Sequence, residues 1–448
     1  MARRGLVGGS LRAASRAWRE RVRRAEPGRA APLRRFAGVP LVRGMCVAAL
    51  ALGLNARAGE TWAIEHTRVL PSATSLVIED GTVVVRDGRI AALGPWGAVP
   101  VPAGARRVDG AGGTTLPGFW NVHVHFTEER FADAARRPGE ALSQACRDML
   151  TSHGFTTVVD LGSFPENTVA LRRRAPSLDC PRILTTGMSM YPAGGVPIYV
   201  RSALGDEVAD GLPQPRTGAE AAHLVQEDLR LGARGVKLFV GTWLGGSRTA
   251  LMDPVVVRAA AAEAHPPGLV VFAHPGSAAG VAHAVDGGVD VLAHTAPDAG
   301  PWSPELVGRM RARHMALAPT LSLWRVEMDR AGAPAEVRER FIRTGAEQLR
   351  AFVAGGGEVL FGTDVGYIPE KDADQEVGRM AAAGMGWQAV LTSLTSAPAR
   401  RMKDGQRSAL KVGAPADLVL VEGDPRADIQ ALTRVRETWV AGKTVFTR

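Results

Sequence analysis

Hydrophobic and polar positions divide the chain into three kinds of stretch. Between residues 60 and 116, short β-branched runs such as Ser75-Leu76-Val77-Ile78 and Thr82-Val83-Val84-Val85 are punctuated by the Asp-Gly pairs Asp80-Gly81 and Asp87-Gly88, the pattern of β-hairpins. Residues 407–448 read the same way, with Asp417-Leu418-Val419-Leu420-Val421 and Thr438-Trp439-Val440. Between these ends, continuous apolar runs alternate with Ala/Arg/Glu-rich helical stretches. Eight runs are expected as strands: 121–125, 156–160, 183–187, 235–240, 270–274, 289–294, 316–320 and 358–364. A run of eight strand–helix units predicts an α/β chain folded as a (β/α)8 TIM barrel. The two ends are expected to meet as one small β-sandwich domain. The predicted division is a leader over 1–58, β-sandwich over 59–116, metal-binding barrel over 117–406 and β-sandwich again over 407–448. An open doubly wound sheet is the alternative, but no glycine-rich dinucleotide fingerprint follows the first strand of the alternating region.

Composition adds one correction to the first impression. The formal net charge is +9, but residues 1–58 alone carry thirteen Arg against Glu20 and Glu26, leaving about −2 for the rest. The basic character belongs to the leader, so a nucleic-acid partner is not expected. That leader runs from an Arg-rich stretch into the apolar Met45–Leu54 and then Ala56-Arg57-Ala58, the plan of a secretory signal peptide. Its apolar run is too short for a stable membrane span. Export to the periplasm or beyond is therefore expected, with a basic extension on a cytoplasmic enzyme as the alternative. Of three cysteines, Cys46 lies in the leader; Cys146 and Cys180 form no metal motif and are expected as buried free thiols, one disulfide being possible.

The chemistry gathers at expected strand ends. In His123-Val124-His125, residues i and i+2 project to one face of a strand, so two imidazoles lie side by side and suit a metal. His274 and His294 close two further runs, twenty residues apart, and Asp364 closes another. Lys237 lies inside a strand run, where an unpaired ammonium is costly. A neutral amine that captures carbon dioxide becomes a carbamate able to bridge two metals; pairing with a carboxylate or snorkelling to the rim is the plainer alternative. Tyr191 and Tyr199, in a turn-rich loop, and Tyr367, just past Asp364, are candidate substrate contacts, with loop packing as the alternative. Arg182 and Arg201 lie where one could hold a substrate carboxylate. His66, His153, His223, His265, His283 and His314 are expected to be structural or solvated.

Taken together, these pieces resemble the amidohydrolase superfamily over most of the chain from about residue 60 onward. The resemblance rests on Pro117-Gly118-Phe119 before His123-Val124-His125, Gly154–Asp160, Lys237, His274, His294, Thr363-Asp364, Thr395–Ala399 and Gly413–Val419. The segment from Val271 to His294 most resembles the branch of imidazolonepropionase-like proteins and Xaa-Pro or Xaa-Arg dipeptidases. The resemblance implies two divalent metals, typically zinc: one held by His123, His125 and Asp364, the other by His274 and His294, with carbamylated Lys237 between them. It further implies hydroxide attack on a carbonyl, with Asp364 as general acid/base, cleaving a C–N amide bond of a dipeptide, N-acyl amino acid or cyclic amide. A mononuclear deaminase or imidazolonepropionase-type enzyme is the runner-up; Lys237 and the lack of an acid close after His274 speak against it. A lactonase or esterase stays chemically adjacent, and a metal-bound scaffold without turnover is least favoured. The expected partner is a small-molecule substrate, with a homo-oligomer possible.

Overall fold

The computed structural model describes residues 60–369 and 373–448. The leader therefore lies outside the described residues. Strands β1 (Thr61–Val69), β2 (Ile78–Arg86), β3 (Arg89–Pro95), β4 (Arg106–Asp109) and β5 (Thr114–Pro117) fill the first stretch. Asp87 and Gly88, at φ 52° and 70°, make the tight turn between β2 and β3, the positive-φ pair that a two-residue hairpin requires. Asp80-Gly81 does not turn the chain. It lies inside β2, where Gly81 passes so close to β1 that a Cβ would come 2.7 Å from Val69 Cγ2.

The alternating region supplies β6 (Phe119–Val124), β7 (Phe155–Asp160), β8 (Arg182–Thr185), β9 (Gly235–Phe239), a hairpin β10 (Gly241–Gly245) and β11 (Arg248–Leu251), then β12 (Val270–His274), β13 (Val291–Ala293), β14 (Ala316–Ala318) and β15 (Glu358–Val359). Each of the eight expected runs overlaps one of these strands. The β10–β11 hairpin carries no signal that the alternation of strands and helices would reveal. β6-β7-β8 and β9-β12-β13-β14-β15 form two parallel sheets. Their strands are almost wholly buried, as continuous Val/Leu/Ala/Phe runs demand when helices cover a parallel sheet. Residues beyond the strand ends link the sheets at both seams: Met190 pairs with Leu238, and Val124 with Val365. This is an α/β fold whose pairing order is consistent with a TIM barrel.

The last stretch adds β16 (Leu418–Val421), β17 (Val435–Val440) and β18 (Lys443–Thr447). β16 pairs antiparallel with β5, so strands from both ends of the described chain share one sheet in the order β18-β17-β16-β5-β1-β2-β3, with β4 on β1. Trp62 and Trp439 stack at 5.1 Å between ring centres, amid buried Ile64, Val83, Val85, Leu418 and Leu420. Cys146 and Cys180 are joined by a disulfide with Cα atoms 5.0 Å apart. Free thiols are thus the wrong expectation. The helix Gly139–Met149 packs beside the segment leading into β8, bringing two residues 34 apart into bonding geometry, a proximity that no spacing rule reveals.

Candidate metal centre

The four histidines, Lys237 and Asp364 come together at the C-terminal ends of the parallel strands. β6 carries His123, 1% exposed, and His125 follows directly after it. Gly362 allows the Asp364 segment to approach: a Cβ there would lie 2.9 Å from His123 Cβ. Backbone bonds then lock the two together, Asp364 N donating to His123 O at 2.8 Å and His125 N to Val365 O at 2.8 Å. Beyond them, Gly366 sits at φ 96°, where a side chain would collide with the His125 carbonyl oxygen.

Asp364 Oδ1 lies 3.1 Å from His123 Nε2 and 3.0 Å from His125 Nε2. Neither approach is aligned as a hydrogen bond, and both Asp364 Oδ1 and His123 Nδ1 are buried without a hydrogen-bond partner among the described residues. Ligand atoms of His123, His294 and Asp364 all lie within 4.8 Å of one another. The rings of His123 and His294 are 4.6 Å apart, and those of His274 and His294 4.9 Å. A carboxylate oxygen and imidazole nitrogens converging without aligned protons form a donor set that fits a divalent cation.

His294 has its tautomer fixed by its neighbour. Its Nδ1 lies 2.7 Å from Thr320 Oγ1, and that hydroxyl donates its own proton to Pro319 O at 2.9 Å. In that arrangement the hydroxyl accepts from Nδ1–H, which leaves the Nε2 lone pair free for a cation. His294, Thr320 and Asp364 have φ of 146°, 44° and 64°, conformations rare for residues with a Cβ and concentrated at functional sites.

Burial controls the protonation states. It lowers the pKa of His123 to about 4, against the pull of Asp364. It lowers His274 to about 3, with the Lys237 cation adding to the effect. His294 falls well below the usual imidazole value for the same first reason, with His123 next. For Asp364, burial alone would raise the pKa, but the surrounding imidazoles overrule it and hold the carboxyl well below the usual range. Lys237, 1% exposed on β9, is lowered to about 8 by burial, partly offset by Asp364. Its Nζ rests 5.3 Å from the Phe239 ring centre.

The tyrosines divide. Tyr191 is buried and stacks on Phe239 at 4.6 Å; Phe239 in turn stacks on His274. Tyr199 is not in a loop but in the helix Ile198–Leu204, and its ring lies 5.4 Å from that of Tyr367. Burial raises the pKa of both Tyr199 and Tyr367, and the charge of Asp364 adds to the shift. The Tyr367 hydroxyl donates to Glu327 Oε1 at 2.9 Å, and the Arg330 guanidinium covers its ring. Neither arginine considered from the sequence is free for a carboxylate: Arg182, at the start of β8, pairs with Asp404, and Arg201 with Asp206 and Asp210. Sequence reading missed Thr320, Trp324, Glu327 and Glu376, which no periodicity links to the histidines. It also gave no role to Asp160 at the end of β7. This buried carboxylate accepts from Ser163, Thr168 and Thr185, and Ser163 Oγ accepts from Phe126 N beside His125. Strand-end position was the available signal for Asp160.

The sequence model of the family described as "Amidohydrolase family" matches residues 114–445. A provisionally assigned prolidase from Bifidobacterium longum superposes with a TM-score of 0.72 at 26% identity, covering 87% of this chain and 95% of that one. A Xaa-Pro dipeptidase with methionine bound in its active site superposes with a TM-score of 0.73 at 22% identity, covering 87% of this chain and all of that one (100%); at that identity the likeness is one of fold. A 5-methylthioadenosine/S-adenosylhomocysteine deaminase from Symbiobacterium thermophilum is 43% identical over 67 residues. That match spans only 15% of this chain and 15% of the deaminase's length.

Proposed function

The chain belongs to the amidohydrolase family, and on that premise we propose that it is a metal-dependent hydrolase cleaving a C–N amide bond. Its substrate is a dipeptide, an N-acyl amino acid or a cyclic amide. The observation that carries this reading is the convergence of His123, His125 and His294 on the unpartnered Asp364 Oδ1. His123, His125 and Asp364 would hold one divalent metal and His274 and His294 a second, with zinc suited to the nitrogen and oxygen character of the donors. When bound, such ions polarise the scissile carbonyl and lower the pKa of water at the site.

The chain's own residues supply the rest. Asp364 takes the proton of the attacking water at its carboxylate and passes it to the leaving amine nitrogen. Its depressed pKa keeps it ionised. Lys237, with a pKa near 8, is available in part as the neutral amine. As the carbamate, formed by adding carbon dioxide at Nζ with release of a proton, Lys237 would offer oxygen donors to the metals. Tyr199, whose hydroxyl has no competing bond among the described residues, contacts the substrate carbonyl. Tyr367 shapes the rim, since its hydroxyl is committed to Glu327. Tyr191 is the weakest of the three candidates because its ring is packed on Phe239.

The same reading extends to the whole chain. Residues 117–406 form a closed (β/α)8 barrel, and residues 59–116 with 407–448 a β-sandwich. The leader over 1–58 directs export. Among the described residues, no helix is long and apolar enough to cross a membrane.

The deaminase match favours a second reading, a mononuclear enzyme acting on a C–N bond of a nucleobase. A panel of Xaa-Pro and Xaa-Arg dipeptides, N-acyl amino acids, cyclic amides, lactones and methylthioadenosine separates the two. Hydrolysis of an amide by the zinc-loaded protein, at least a thousandfold slower in Asp364→Asn with metal retained, is expected. Deamination of methylthioadenosine with no amide turned over would replace this reading with the second.

A further inference from the structure

The hydroxyl that fixes the His294 tautomer stands on a backbone that needs restraint. Thr320 is β-branched and held at φ 44°, and His294 is held at φ 146°. Such conformations persist only where their surroundings over-determine them. The restraint comes from the helix Asp374–Ala382, far along the chain. Its Glu376 accepts from Leu321 N at 2.8 Å through Oε1 and from Ser322 N at 2.9 Å through Oε2. These are the two amides directly after Thr320, at the start of the helix Ser322–Arg330, whose own capping residue, Leu321, offers no side-chain acceptor.

A helix cap alone does not call for this arrangement. A Ser, Thr, Asp or Asn at the capping position, Leu321, would reach the amides of Leu323 or Trp324, not those of Leu321 and Ser322 that Glu376 holds. Glu376 is 1% exposed, and both its oxygens are spent on two adjacent backbone amides. A two-pronged acceptor fixes both the position and the direction of the chain leaving Thr320. The helix it anchors also reaches the site twice more. Trp324 Nε1 donates to Oγ1 of Thr295, the residue after His294, at 2.7 Å, and Glu327 holds the Tyr367 hydroxyl.

We propose that Glu376 is a positioning residue for the metal centre. By fixing the backbone from Thr320 to Ser322, it keeps the Thr320 hydroxyl on His294 Nδ1 and the Nε2 lone pair directed at the cation. This rests on the metal-binding reading given above.

The test is zinc affinity of the full chain by chelator competition, for wild type, Glu376→Gln, Thr320→Val and the double variant. Melting of the zinc-free proteins and histidine nitrogen spectra are recorded alongside. Removing a group that orients a metal ligand weakens binding about 10- to 100-fold. Glu376→Gln is expected at the lower end of that range, because the amide oxygen keeps one of the two bonds. The double variant is expected to bind within about twofold of the weaker single variant, because both act through His294. The His294 nitrogen signals are expected to shift in each variant. If Glu376→Gln does not fold, Glu376→Asp keeps the charge, shortens its reach and takes its place in the same comparison. A lower melting temperature with unchanged zinc affinity and unchanged His294 signals would make Glu376 a helix cap and overturn the proposal, as would losses that multiply in the double variant. A wild-type chain that binds no zinc would overturn the metal reading itself, whereas wild-type binding with unaltered variants removes only the positioning role.

Discussion

At the scale of single residues, the site is a set of groups forced away from their ordinary protonation states. His274 shows the consequence most simply. Its folded pKa, about 3, lies below the unfolded value near 6.5. The unfolded chain therefore binds a proton that the fold refuses. Stability from the neutral imidazole is fully present above pH 6.5 and is lost as pH falls toward about 3. The same sign holds for His123 and His294, while burial raises Asp160 and Glu376 and opposes the trend. Comparing zinc-free wild type with His274→Gln isolates one group. Between pH 6 and pH 4, urea unfolding of the wild type should lose up to about 1.4 kcal/mol more per pH unit than the variant. Parallel profiles would mean that His274 is protonated in the fold. The residues that chemistry singles out were legible in the sequence because His, Lys and Asp stand out at the ends of apolar runs. Thr320, Glu327 and Glu376 were not, since each acts through a contact made only when distant segments meet.

At the scale of elements, all eight strand runs were legible, but their ends were not. The run 358–364 was expected as one strand, yet β15 stops at Val359. The chain then crosses from β14 to β6: Leu360 N donates to Leu317 O, but Phe361 O accepts from Val122 N. That crossing delivers Asp364 to His123, and it depends on tertiary bonds rather than on side-chain alternation. The Asp80-Gly81 pair shows the converse. A turn signal was overridden because Gly81 serves close packing between β1 and β2. The Cys146–Cys180 disulfide belongs to this scale too, since it ties the helix Gly139–Met149 to the approach of β8. Closing a loop of 34 residues should contribute about 4 kcal/mol, chiefly through the unfolded chain. Cys146→Ser with Cys180→Ser should therefore lower the denaturation midpoint by a corresponding amount and leave KM unchanged. A variant of wild-type stability would show that the bond contributes nothing in solution.

At the scale of the whole molecule, the strand pattern located the side of the fold on which the histidines and Asp364 gather, because parallel strands covered by helices present their C-terminal ends together. The β-rich ends of the chain were legible as β-structure. Their joining in one sheet through β5 and β16 follows from register that only the folded chain reveals. Substrate choice stays outside sequence reading for a related reason. Under the proposed reading it belongs to side chains such as Tyr199 and Tyr367, brought together from the helix Ile198–Leu204 and the segment after Asp364. The central claim is that Lys237 completes a two-metal centre. Zinc content per chain of protein spanning residues 59–448, produced with zinc and bicarbonate, tests it most directly when Lys237→Ala is measured alongside. Two zinc ions per chain, falling to one or none in the variant, is the result the account predicts. One ion in both proteins would contradict it and leave Lys237 outside the chemistry.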